Sequence, residues 1–396
     1  MREVREKNRY LDWTILAPYL LLSIFGIIMV YSSSSTILLV NGFKPATYAI
    51  RQTAYFISAV TLFGILPFEI KLDIFKSKKF VIGFLGLAVL MLLILIGMRL
   101  VRGDAAAVNG AVGWLNLGII RIQPLEVAKI ALVLYLAMVL SLRDGRFVPG
   151  KIWTNLSGPT ILSGFVIFLV IVEPDFGGAA ILMMIVLVMY AVSGIPARIV
   201  LRWFLVLLVL VFALTGLIIL WNPAFLRNSY QFQRLMAFVH PFKLERKGGA
   251  QLVNSYYAIH NGHLLGVGLG NSMQKRGYLP EPYTDFILSI ISEELGSFGA
   301  ILVVGTLFFL MYRIMEVGVH AKDQFNALVC FGVATIIFTE TLFNVGGVLG
   351  LLPITGVTLP FISYGGSSMI VLTFGVALVL NIAANEKRNR LENGGL

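Results

Sequence analysis

In YLPEPYTDFILSIISEELG (residues 278–296), two prolines and a tyrosine lead to Thr284 and Asp285, and an apolar run starts at the next residue. Glu293 and Glu294 stand inside that run. An ionisable group placed in hydrocarbon is costly, so by default it faces a partner, a cavity or a site. For a helix starting at Asp285, Ser289, Ser292, Glu293, Gly296 and Gly299 share one side, which leaves Phe286, Ile287, Ile290, Ile291 and Leu295 for lipid or packing. The polar stripe therefore faces protein or water. Asp285 has two readings, a helix N-cap that satisfies orphan N–H groups or a chemical role at the edge of the membrane. For Glu293 and Glu294, pairing with a buried Arg or Lys outweighs catalysis.

Apolar runs of this kind recur along the chain. Of 396 residues, 58% are apolar and 13% charged, about half the charge of an ordinary soluble domain. The pattern predicts an all-α, polytopic membrane protein of ten transmembrane helices, near 14–31, 50–67, 80–98, 124–140, 158–173, 176–193, 200–221, 286–311, 325–344 and 367–385. Lys and Arg gather in alternate short loops and at both ends, while the segment 345–366 has none. This asymmetry puts both termini in the cytoplasm. It also accounts for a net charge of +11 without nucleic acid. The single cysteine, Cys330, excludes a disulfide framework. We read residues 1–396 as one transmembrane domain with two large outer segments, 99–123 and 222–285. The second lies between helices 7 and 8 and is too long for a passive connector. Within it, 255–266 suits a short interfacial helix.

Other charges sit where lipid is expected. Glu126 and Lys129 are three apart and can pair along one helix face, and Gln123-Pro124 makes a plausible helix start. Glu173 and Asp175, in VEPDFGG, occupy a tight outer turn, either solvated or shaping a cavity. Arg121, Arg234, Lys275 and Arg276 fall on the outer face, as solvated loop charge or as a phosphate-binding cluster. The histidines show no standard zinc spacing, and no Ser-His-Asp order or nucleophile elbow is present. GVGLGN (266–271) follows no strand, which excludes a dinucleotide fingerprint.

Taken together, MVYSSSS (29–35), NGAVGWLNLGIIRIQPLEVAK (109–129), VEPDFGGA (172–179), YQFQRLMAFVHP (230–241), GVGLGNSMQKRGYLPEPYTDFILSIISEELG (266–296) and GLLPITGVTLPFISYGGSS (350–368) resemble the SEDS family of shape, elongation, division and sporulation proteins over nearly the whole chain. GLGNSMQKRGYLPE looks more like its division members than its elongation members. Gly113, Leu125 and Gly277 depart from the family pattern, and Gly113 removes a cation common before the tryptophan. The resemblance implies a peptidoglycan glycosyltransferase that polymerises lipid II at the outer face of the bacterial cytoplasmic membrane, with Asp285 as its essential aspartate. It further implies substrate contacts from Trp114, Arg121, Gln123, Glu126, Lys129, Arg234, Lys275, Arg276 and Glu281. Glu173, Asp175, Glu293, Glu294, Ser363, Gly365 and Gly366 would shape the cavity. Implied partners are lipid II, the growing glycan strand, a class B penicillin-binding protein and other division proteins. No cofactor is required by the motifs; a divalent cation, Mg2+ or Mn2+, is the one that diphosphate chemistry could use.

In such an enzyme the donor already carries a diphosphate leaving group, so the missing element is a base for the acceptor's 4-hydroxyl. Asp285 is that base in this reading. A lipid II flippase would instead keep its essential ionisable groups near the midplane, and a scaffold would need no single carboxylate.

Overall fold

The computed structural model describes residues 7, 9–102, 113–116, 118, 121–143, 145, 152–221, 229–245 and 248–392. Parts of both large loop segments, 99–123 and 222–285, therefore lie outside the described residues. Ten long apolar helices stand where hydropathy predicts them: α1 (Trp13–Val40), α2 (Thr47–Glu69), α3 (Lys78–Arg102), α4 (Pro124–Ser141), α5 (Ile152–Val172), α6 (Phe176–Val192), α7 (Ala197–Trp221), α10 (Ile287–His320), α11 (Gln324–Val348) and α12 (Gly366–Glu392). Among the described residues nine helices are long and apolar enough to cross a bilayer, and α6 is slightly shorter. Two further helices, α8 (Tyr230–Val239) and α9 (Ala250–Gly262), lie in the long segment before α10. The described strands are β1 (Leu115–Asn116) and β2 (Arg121–Ile122), paired antiparallel.

The chain falls into two compact units, Met1–Ile70, Arg234–Glu316 and Ile337–Leu396 in the first, Lys71–Gln233 and Val317–Ile336 in the second. In the first unit α2 contains a π-helical stretch, Ala59–Ile65, that packs on α12. In α1, a Cβ on Gly26 would come within 2.7 Å of the Phe361 and Ile362 backbone, so glycine permits that approach. In the second unit the α3–α4 contact is the most extensive, and α4 is enclosed along nearly its whole length.

Two expectations are corrected. A continuous α10 would be about 51 Å long, well beyond a hydrocarbon core of about 30 Å. Gly296, at φ 73° and ψ 180°, breaks it. Residues 297–320 alone give about 36 Å, and here Phe298, Ile301 and Leu302 are exposed. Before the break, Phe286, Ile287, Leu288, Ile290 and Ile291 are all buried. This first part is therefore enclosed by protein and is not the lipid-facing start of a span. The helix expected within 255–266 begins at Ala250 and buries Leu252, Val253 and Ala258. Its Ser255 hydroxyl reaches Ser289 and the Val348 carbonyl, both at 2.8 Å. One face of it therefore packs on protein, while Tyr257 and His260 on the other stay exposed.

Candidate active site

Asp285 precedes α10 by two residues, and its side chain caps nothing among the described contacts. The capping reading is set aside. The Thr284 hydroxyl instead donates to Asp285 Oδ1 at 3.0 Å and lies 3.1 Å from the Glu281 carbonyl. Glu281 itself adopts φ 51°, a left-handed conformation that turns the chain into TDF. From α11, Asn344 Nδ2 donates to the Asp285 carbonyl at 2.7 Å and to that of Val357 at 2.9 Å. Asp285 remains partly open to solvent. It lines a narrow cleft with Asn344, Gly347, Thr355, Gly356 and Val357. Burial of the carboxyl by its surroundings pushes its pKa above the ordinary value, against the pull of the Arg234 guanidinium and of Thr284. Arg234, expected among the phosphate-binding cations, thus lies within electrostatic reach of Asp285. It donates to the Ile354 carbonyl at 3.3 Å, and Gly356 packs closely against its guanidinium.

The loop before α12 is tied to the same turn. Ser363 Oγ donates to the Thr284 carbonyl at 2.6 Å and accepts from the Leu359 N–H at 2.8 Å. The Tyr364 N–H donates to the Tyr283 carbonyl at 2.9 Å. Gln52, fully buried in α2, donates to the Ser363 carbonyl and accepts from the Gly365 N–H. A Cβ at Gly366 would sit 3.0 Å from the Tyr55 ring. Ser363, Gly365 and Gly366 therefore hold the wall beside Asp285.

Glu293 and Glu294 serve the preceding loop. Lys275, only 3% exposed, pairs with Glu294 at 2.6 Å, and Ser32 of α1 reaches both Glu294 oxygens at 2.7 and 2.8 Å. The lysine also donates to Ser32 Oγ at 3.0 Å. Glu294 has the cationic partner expected of it. Glu293 is held differently: it accepts from the Met273 and Gln274 N–H groups at 3.2 Å, from Asn261, and from Ser272. At the break, Val267 and Gly268 donate to the Glu293 and Glu294 carbonyls, and Ser297 donates to the His263 carbonyl. Lys275, expected on the outer face as a phosphate ligand, is thus enclosed in an ion pair. Arg276 beside it is exposed.

In the second unit, Trp114 is 38% exposed just before β1, and Arg121 is exposed in β2. Gln123 occupies the N-cap position of α4 without a side-chain cap bond, and Pro124 follows in the first turn. Glu126 and Lys129 pair at 2.8 Å and are both buried, which mutually offsets the cost of enclosing them. Asp175 caps α6 by accepting from the Gly178 N–H at 2.8 Å. Glu173 is buried, and burial, reinforced by Asp175, raises its pKa to about 8 against the pull of Arg99. Among the described residues no three His, Cys, Asp or Glu side chains converge. The described residues do not by themselves assemble a cation site of that kind.

Asn344, Gln52 and Ser32 were not singled out by sequence reasoning. Gln52 and Asn344 are polar residues within apolar helices, a signal that could have found them; their partners are far away in sequence.

A family model described as "Cell cycle protein", covering FtsW, RodA and SpoVE, matches residues 12–388. The chain is 39% identical to a probable peptidoglycan glycosyltransferase FtsW of Lactococcus lactis, covering 97% of this chain and 95% of that protein. It is 36% identical to the Bacillus subtilis protein of the same name, over 94% and 90% of the two chains. It also resembles a chain solved in a study of how a peptidoglycan synthase complex coordinates polymerization and crosslinking, with 26% identity, TM-score 0.74 and coverage of 95% and 98%. The rod shape determining protein RodA of Thermus thermophilus shares the fold at TM-score 0.66 and 23% identity, over 95% and 97% of the chains. Ten apolar helices, the TDF turn hung between α11 and the loop before α12, and similarity along almost the full length lead to one conclusion: the chain belongs to the FtsW/RodA/SpoVE family of multi-pass membrane proteins.

Proposed function

We propose that this protein is a peptidoglycan glycosyltransferase that polymerises lipid II into β-1,4-linked glycan for the division septum, with Asp285 as its general base. The observation that carries this reading is the setting of Asp285. Residue 285 is partly open to solvent and lines a cleft, while its carboxyl is held by burial at a raised pKa beside a guanidinium. A raised pKa brings a carboxylate closer to the operating pH, where a base is most effective. The FtsW relatives, named as peptidoglycan glycosyltransferases, support the same reading.

In the reaction, the acceptor's 4-hydroxyl attacks the anomeric carbon of the donor and passes its proton to Asp285. The bond from that carbon to the lipid diphosphate breaks with inversion. Arg234 stabilises the negative charge that develops on the leaving group, as preorganised cations do. Both termini are cytoplasmic and the Asp285 cleft opens on the outer side. A class B penicillin-binding protein crosslinks the product; the likeness to a chain of a peptidoglycan synthase complex supports that pairing.

The test is polymerisation of purified lipid II by the reconstituted protein with its transpeptidase. Asp285→Asn keeps an oxygen for the Thr284 hydroxyl but cannot take a proton. Glycan synthesis is expected to fall by at least about 100-fold. Full synthesis by that variant overturns the assignment.

A further inference from the structure

Beside the Asp285 turn lies a group of aromatic rings that the reaction as described does not use. The Tyr48 ring, from the first turn of α2, is 4.9 Å from that of Tyr283 and 4.9 Å from that of Tyr364, stacked on the latter at 26°. Tyr283 and Tyr364 stand edge to face at 6.0 Å. Tyr55 adjoins Tyr364 at 6.4 Å. The group is not a sealed core: Tyr48, Tyr283 and Tyr364 are each partly open to solvent, and Arg51 beside them is exposed. Its rim is polar. The Arg51 guanidinium acts electrostatically on the Tyr364 hydroxyl, and Glu281 and Tyr48 act on that of Tyr283. Phenylalanines would pack equally well here but would offer no hydroxyls.

We infer that Tyr48, Tyr283 and Tyr364, rimmed by Arg51 and Glu281, form a platform for a neutral pyranose ring of the glycan substrate, an N-acetylhexosamine next to the one reacting at Asp285. A β-linked hexosamine has equatorial substituents and presents a flat face of axial C–H groups. Such a face suits the electron-rich side of an aromatic ring. Its hydroxyl and acetamido groups need donors and acceptors at the edge, which the rim supplies, in the usual pattern of apolar walls with a few placed polar groups. One cation and one carboxylate in that rim give no net attraction for a diphosphate, whereas Arg234 stands near Asp285 itself. The backbone bond from Tyr364 to Tyr283, two residues from Asp285, keeps platform and base in fixed register.

This inference rests on the polymerase reading, and its test separates the two. The full-length protein in detergent is mixed with tri-N-acetylchitotriose, a neutral β-1,4 oligomer without lipid or phosphate. Saturation-transfer NMR is then recorded with irradiation of the aromatic protons. The wild type is expected to transfer saturation to the axial H1, H3 and H5. Tyr48→Leu, which keeps apolar bulk, is expected to bind roughly threefold to tenfold more weakly, and Tyr48→Phe, which keeps the ring face and loses only the hydroxyl, to bind more tightly than Tyr48→Leu. No transfer from the wild type to the oligosaccharide, transfer unrelated to the axial face, or equal binding by Tyr48→Leu overturns the platform. The wild-type epitope decides the matter should Tyr48→Leu fail to fold. Glycan synthesis by the wild type without any oligosaccharide signal overturns the platform alone. Signal without synthesis overturns the polymerase reading alone.

Discussion

Asn344 holds Asp285 by the main chain: its Nδ2 is 2.7 Å from the aspartate's carbonyl and 2.9 Å from that of Val357. One amide thus joins Asp285 to the loop that lines the same cleft. Asn344→Leu removes both bonds and leaves two part-buried carbonyls without that donor. A displacement near 1 Å can cost about 100-fold in rate. Turnover is therefore expected to fall by roughly tenfold or more with little change in the lipid II concentration at half-maximal rate. A rise in that concentration with turnover intact would show that Asn344 binds substrate and does not aim Asp285.

Lys275, Glu294 and Ser32 make a contrasting prediction. Removing one charge of a buried pair strands the other, at about 3–5 kcal/mol, whereas replacing both with apolar groups is often near neutral. Lys275→Met and Glu294→Gln should each lower thermal stability strongly, and Lys275→Met with Glu294→Leu should recover most of the loss. Melting of the purified variants checks this. Were Lys275 a phosphate ligand instead, the double variant would melt normally yet bind lipid II poorly.

Gly296 admits no side chain. At φ 73° an L-residue is strained, and an added Cβ would run into the Leu264 carbonyl and Gly266 N. Gly296→Ala is expected to cost at least about 1–3 kcal/mol from backbone strain alone. Expression yield and melting temperature report it, with Gly305→Ala, where a Cβ meets nothing within 4 Å, as the control.

Glu173 predicts a pH effect. Its pKa rises to about 8 in the folded protein through burial, above the unfolded value near 4.5. The folded state then holds the proton more tightly. The stabilisation is complete below the unfolded value and is lost as pH climbs through about 8. Between the two values stability should decline by about 1.4 kcal/mol per pH unit. Glu173→Gln, neutral throughout, should abolish that slope in melting curves taken from pH 5 to 8.5. An unchanged slope would assign the proton to another group.

Hydropathy alone located all ten long helices because lipid solvation imposes length and apolarity on each of them. The Glu126–Lys129 pair was legible for a related reason, being local to one helix face. What escaped was long-range or interrupted. The apolar runs on either side of Gly296 merge into one, so the break was hidden although its glycine was visible. Lys275 looked like loop charge because its partners stand on α10 and on the far N-terminal α1. Asp285 was found through its motif, and the capping role suggested by its position gave way to a turn stabilised by Thr284, Asn344 and Ser363.

The ion pair near the break also constrains how the chain is put together. Ser32 is synthesised 243 positions ahead of Lys275, so the first helix must wait through most of translation before its hydroxyl meets the pair. Closure of that contact is therefore a late event in biogenesis, and a chain truncated before Lys275 would leave α1 without its anchor.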